Sequence, residues 1–225
     1  MGSTRALALA LVTGAAMAAG CAAPGPRGDG VSYGARAAEP AENTGFRAIT
    51  EAEFEDLKKS VLFTDEDVRY LRMSRDVLAP NVGELLDVWY GFVGANPHLV
   101  YYFQDAGTGR PDARYLARVR ERFERWVLDT AEANFDRAWL DRQLELGLRH
   151  HRLKKNQTDG VDSVDHIPFR HLVALHYPIT TTLRPFLERG GHSEADVSGM
   201  YEAWRKAVLM TAILWSQPYV APEDF

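Results

Sequence analysis

Apolar positions along this chain recur at helical spacing, and no stretch alternates like a strand for more than a few residues. Residues 112–130 show it best: Tyr115, Val119, Phe123 and Trp126 or Val127 share one stripe, with arginines elsewhere. A second pattern occupies residues 139–157, W-L-D-R-Q-L-E-L-G-L-R-H-H-R-L-K-K-N-Q. There Trp139, Gln143, Leu146 and His150 step by 4, 3 and 4, and Leu140, Leu144, Leu148 and His151 form a row beside them. This predicts a helix from about Phe135 that ends in two histidines, both turned toward apolar surroundings. Spacing alone does not choose between them.

Local punctuation places the other elements. Thr50 with Glu53 three residues on is a capping box, and Thr64 followed by three acids repeats the device. The second helix should reach about Leu78, break at Pro80 and resume through N-V-G-E-L-L-D-V-W-Y-G-F-V. Pro97 opens a short aromatic segment, and Gly107, Gly109 and Pro111 mark a loop. Residues 154–162 read as a polar loop. A long helix from about Ser163 to Arg189 follows, with kinks expected at Pro178 and Pro185. Gly190-Gly191 stops it, and a last helix runs from Ser193 to Ser216 before Pro218. The sum is an all-α domain of seven or eight helices over residues 46–225.

The first 45 residues read differently. Residues 1–20 carry one charge at Arg5, then A-L-A-L-A-L-V and small residues, the layout of a secretory signal peptide. Ala18-Ala19-Gly20-Cys21 resembles a lipobox, although Ala18 stands where leucine is usual. Cys21 is the sole cysteine, so an internal disulfide is impossible and acylation at that position is the expectation. The chain would then be an exported cell-envelope lipoprotein, held to a membrane by lipid. Absence of acidic residues at Ala22 and Ala23 points to the outer membrane in a two-membrane bacterium. Residues 22–45 are rich in Gly, Ala and Pro, as a tether would be. A net charge of −5 gives no footing for nucleic acid.

Candidate chemistry centres on the two histidines. A neutral imidazole facing an apolar cavity can ligate a haem iron, while a core histidine bonded to backbone is the plainer alternative. Aromatics at Trp89, Tyr90 and Phe92, at Tyr101, Tyr102 and Phe103, and at Phe123 and Trp126 suit a flat apolar pocket or simply a core. Tyr90 and Trp89 add an O–H and an N–H donor. Arginines 118, 120, 122 and 125 could reach cofactor carboxylates. His166, His171 and His176 are five residues apart, which throws them to different helix faces and argues against zinc.

Five segments resemble the protoglobin family: L-L-D-V-W-Y-G-F-V-G-A-N-P-H-L-V-Y-Y-F (85–103), R-F-E-R-W-V-L-D-T (122–130), A-W-L-D-R-Q-L-E-L-G-L-R-H-H-R-L-K-K-N-Q-T-D (138–159), Y-P-I-T-T-T-L-R-P-F-L (177–187) and W-S-Q-P-Y-V (215–220). The resemblance implies a globin-like fold with an extra N-terminal helix, and a haem b. It makes His150 the proximal ligand and His151 a neighbour. It places Tyr90 and Trp89 on the distal side, Phe103 and Phe123 against the haem, Arg122 near the propionates and Ile179 in the pocket. Leu175 stands where an aromatic is expected, which implies a larger distal space. Residues 31–45 would cover the propionates rather than form a tether. The lipobox-like cysteine departs from the family pattern.

The function these residues imply is reversible binding of O2, CO and NO. Two alternatives are a haem-dependent redox enzyme (NO dioxygenase, peroxidase or nitrite reductase) and a sensor signalling to a separate partner. Against the enzyme, no distal His–Arg pair for O–O cleavage is evident. The resemblance further implies a homodimer through the last two helices.

Overall fold

The computed structural model describes residues 44–225. The expected signal peptide (1–20), Cys21, and residues 31–43 of the expected cover lie outside the described residues. Among the described residues are nine α-helices and five short 3-10 turns, with only two isolated β-bridges, Gln104 to Pro111 and Asp105 to Ser163.

Caps and prolines set most boundaries. Helix α1 (Glu51–Ser60) starts at Thr50, whose hydroxyl accepts from Glu53 N–H while the Glu53 carboxylate accepts from Thr50 N–H. Helix α2 (Asp65–Leu78) has its start held by the Asp67 carboxylate, which accepts from Thr64 N–H at 2.7 Å and binds Lys206 at 2.9 Å. A 3-10 turn containing Pro80 separates it from α3 (Val82–Gly94). Pro97 opens α4 (Pro97–Val100), which runs into a turn over Tyr101–Phe103. Helix α5 (Ala113–Glu132) is capped by Asp112, and its buried stripe is Tyr115, Trp126, Val127, Thr130 and Ala131.

Two boundaries differ from the expectation. Helix α6 (Arg137–Leu148) ends before the two histidines instead of including them. Residues 149–168 carry no α-helix, because that backbone is tied to other parts of the fold: Ile167 N–H donates to His150 O at 3.0 Å, and Ala106 N–H to Asp162 O at 2.8 Å. The expected helix from Ser163 to Arg189 is two helices, α7 (Phe169–Ala174) and α8 (His176–Leu187). The break at Leu175 lies where Pro178 would clash with the Ala174 carbonyl and has no N–H to give it. Pro185 stays inside α8. The start moves to Phe169 because Ser163 pairs with Asp105 and Pro168 opens the helix.

Helix α9 (Glu194–Ser216) is the centre of the core. It packs against α8, α2 and α6. Its buried residues Val197, Met200, Ala203, Trp204, Ala207, Val208, Met210 and Leu214 occupy more than one face, as in a helix surrounded by others. Trp204 donates its indole N–H to Ser74 Oγ at 2.8 Å, which satisfies the one polar atom it buries. Gly147 lets α6 approach α9 closely: a Cβ there would lie 2.9 Å from Trp215 O and 3.0 Å from Trp215 Cα. No helix among the described residues is long and apolar enough to cross a membrane.

Candidate functional site

The adjacent histidines leave the end of α6 in different directions. His150 N–H bonds Gly147 O at 3.0 Å, so the residue continues the last turn of the helix. Its Nδ1 lies 2.7 Å from Leu146 O. A carbonyl can only accept, so Nδ1 carries the proton and Nε2 keeps its lone pair. The ring stacks on Trp215, with centroids 4.7 Å apart and planes at 25°. Trp215 is itself fixed by its N–H to Gln143 Oε1 at 2.9 Å. The backbone is held as well: the Tyr219 hydroxyl lies 2.9 Å from His150 O and 2.8 Å from Ile167 O, with one proton to share between them. Burial holds the His150 pKa below the ordinary histidine value, against the opposing Leu146 bond and with help from Lys155, Arg122 and Arg149. The imidazole is therefore neutral at neutral pH.

His151 has a different setting. Its ring packs on His166 at 4.9 Å and on Tyr219 at 5.2 Å, and its buried Nδ1 has no hydrogen-bond partner. Only His150 combines a fixed tautomer with an uncommitted Nε2.

The other residues named from sequence gather on one apolar wall. Trp89, Val93 and Leu99 form a buried cluster with Tyr90, Val100, Phe103, Phe123, Leu175 and Ile179 packed against it. It draws on α3, α4, α5, α8 and the 3-10 turn after α4. A chain of ring contacts joins it to the histidine: Trp89 to Phe123 at 5.7 Å, Phe123 to Trp126 at 5.5 Å, Trp126 to Trp215 at 5.9 Å, and Trp215 to His150. A void of about 10 Å³ remains among Leu85, Trp89, Phe123, Trp126, Ile179 and their neighbours. The larger groove, about 580 Å³ between residues 45–57 and the chain's last turns, is lined by none of the named residues. Burial raises the Tyr90 pKa well above the ordinary phenol value, so the hydroxyl stays a proton donor.

At the polar end, Arg122 and Arg118 converge on Asp159. Arg122 forms a two-pronged bond to it at 2.9 and 2.6 Å, and Arg118 lies 3.5 Å away. The Asp159 side chain is only 4% exposed. Arg120 turns elsewhere, to Gly83 O and Asp87, with its guanidinium 5.8 Å from the Tyr90 ring. The three other histidines considered for zinc are apart: His166 lies by His151, His171 by His98 and Tyr102, and His176 on Arg205 O.

Four residues at this site were not singled out from the sequence: Trp215, Tyr219, Asp159 and Lys155. The first two lie in the segment W-S-Q-P-Y-V, where two adjacent-element aromatics beside a helix-stopping proline are the only signal. Asp159 and Lys155 sit in a stretch whose polarity suggested a solvated loop.

A neutral helix-end imidazole beside an apolar aromatic wall that carries the Tyr90 phenol suits an all-α domain of the globin type, able to hold a haem. The residues fit that group chemically: an uncommitted Nε2, a flat apolar wall, and guanidinium groups at its polar end. The chain belongs to the protoglobin family, whose family model matches residues 50–224. Its fold is the globin-like protoglobin type, with α1 as the added helix at the start. Members hold a haem cofactor and bind gaseous ligands through it. No curated protein matches the chain.

Proposed function

We propose that this chain holds one haem b through His150 Nε2 and binds O2, CO and NO reversibly. The observation carrying the proposal is the His150 geometry: Nδ1 is committed to Leu146 O, which leaves a neutral Nε2 as the free donor. A haem held by His150 Nε2 would supply the iron chemistry that binds a diatomic gas. The chain's own residues do the rest. Trp215 and Tyr219 hold the imidazole ring and its backbone in place. Trp89, Phe103, Phe123, Leu175 and Ile179 exclude water and present an apolar face. Tyr90 offers one hydroxyl donor to a polar diatomic, and Arg122, held by Asp159, places positive charge at the polar end.

The proposal extends to location and assembly. Cys21, the sole cysteine and the last residue of the lipobox-like run, supports export and lipid attachment in the cell envelope. Exposed apolar side chains at Val173, Tyr177 and Leu209 favour a homodimer through α8 and α9, with α7 beside them.

The test is an absorption spectrum of the purified ferrous protein with and without CO and O2. The parent should show a haem Soret band that shifts with each gas. His150→Ala should lose haem or its ligand-dependent spectra, and His151→Ala should keep both. The reverse pattern would make His151 the ligand, and no Soret band in the parent would end the proposal.

A further inference from the structure

We propose that Lys155 tunes the redox balance of this site, its buried positive charge favouring ferrous over ferric iron. The inference rests on the haem reading above and adds a residue to it.

Lys155 is only 2% exposed. Its ammonium donates to Tyr102 O at 3.0 Å and lies 5.1 Å from the Tyr115 ring centroid, and it has no carboxylate within ion-pair distance among the described residues. Asp159, which faces it, is already engaged by Arg122 and Arg118. Asp165 acts on it through space, more strongly than Asp159, but forms no ion pair with it. A buried cation with one neutral acceptor is costly, and folds rarely keep one without a counter-charge.

The place of that cation gives it a task. Lys155 N–H bonds His151 O at 3.0 Å, so its backbone closes the turn that directly follows His150. Its side chain ends at Tyr102 O, next to Phe103, whose ring packs on the same Tyr115 at 5.8 Å. The charge is thus fixed between the histidine turn and the aromatic wall, away from solvent screening. Burial pushes the lysine down to about 8, so it remains charged at neutral pH. Among the surrounding charges, Lys155 acts on the His150 imidazole ahead of Arg122 and Arg149.

Oxidation of ferrous iron removes one electron and leaves the site one unit more positive. A fixed cation nearby opposes that change. The electron goes to the external one-electron acceptor, and no proton need leave Lys155.

The experiment is a spectroelectrochemical titration of the haem-loaded protein at pH 7, using Lys155→Met and Lys155→Gln. Methionine keeps the stem and removes the charge. Glutamine also removes the charge but keeps an N–H for Tyr102 O. In both, the ferrous-to-ferric ratio at a fixed potential should fall about tenfold, which is a downward shift of about 59 mV for a one-electron couple. An unchanged midpoint in a haem-loaded neutral variant overturns the inference. So does a shift with methionine but not glutamine, because the hydrogen bond and not the charge would then be responsible. If either variant does not fold, the other still decides. Failure of the parent to take up haem would instead remove the underlying reading.

Discussion

Replacing Gly147 by alanine sets two physical effects against each other at the turn that carries His150. Helix propensity favours the change, because alanine in a helix interior is better than glycine by about 1 kcal/mol. Packing opposes it. The new Cβ would meet three backbone atoms of α9, Trp215 O, Cα and C, at 2.9, 3.0 and 3.2 Å. A backbone cannot rotate away as a side chain can, and α9 is hemmed in by Leu214, Met210 and Trp204, all buried. Overpacking of this kind costs about 1–3 kcal/mol. The net expectation is destabilisation by up to about 2 kcal/mol, together with a tilt of Trp215 under the His150 ring. Gly91→Ala is the control. Gly91 is inside α3, exposed, with nothing within 4 Å of a new Cβ, and should gain up to about 1 kcal/mol. Urea unfolding at constant m-value reads both. A Gly147→Ala variant as stable as Gly91→Ala, or more so, would refute the close approach of α6 to α9.

Tyr90→Phe removes the buried hydroxyl and keeps the ring; it should speed O2 dissociation several-fold and leave CO dissociation nearly unchanged, as read by stopped-flow. Equal rates in variant and parent would exclude a ligand contact by Tyr90. Acid should destabilise the protein: burial lowers the pKa of His150, His151, His166 and His171, so the unfolded chain takes up protons first below its ordinary value of 6.5. Stability therefore falls as pH drops from about 6.5 toward the folded-state values, and a flat unfolding midpoint between pH 7 and 5 would contradict this. Mass spectrometry of the chain from its native host should find an acylated Cys21 as the first residue; a chain that keeps residues 1–20 would remove the lipoprotein reading.

Much of the fold was legible because its rules are local. The starts of α1, α5 and α9 at Thr50, Asp112 and Ser193 follow from side chains that accept from backbone N–H groups two or three residues on. Pro80, Pro97 and Pro178 end or open helices through sterics within four residues. The period of α5 marks Tyr115, Trp126 and Val127, which are buried, whereas Val119 and Phe123 on the same stripe are half-buried. The pocket residues were named from the resemblance to protoglobins, since Trp89, Phe103 and Phe123 are equally good core residues by composition. The different settings of His150 and His151 were not legible from spacing. Both carry the same ring on the same turn, but the His150 ring is bonded to Leu146 O within its own helix and stacked on Trp215, sixty-five residues later, while the His151 ring packs on His166 and Tyr219. The end of α6 at Leu148 and the burial of Lys155 have the same origin. Helix propensity and charge would carry the helix onward and leave the lysine in water. The tertiary partners of that loop, Tyr102 O for Lys155 and Ile167 N–H for His150 O, offer hydrogen bonds in a setting where water cannot compete.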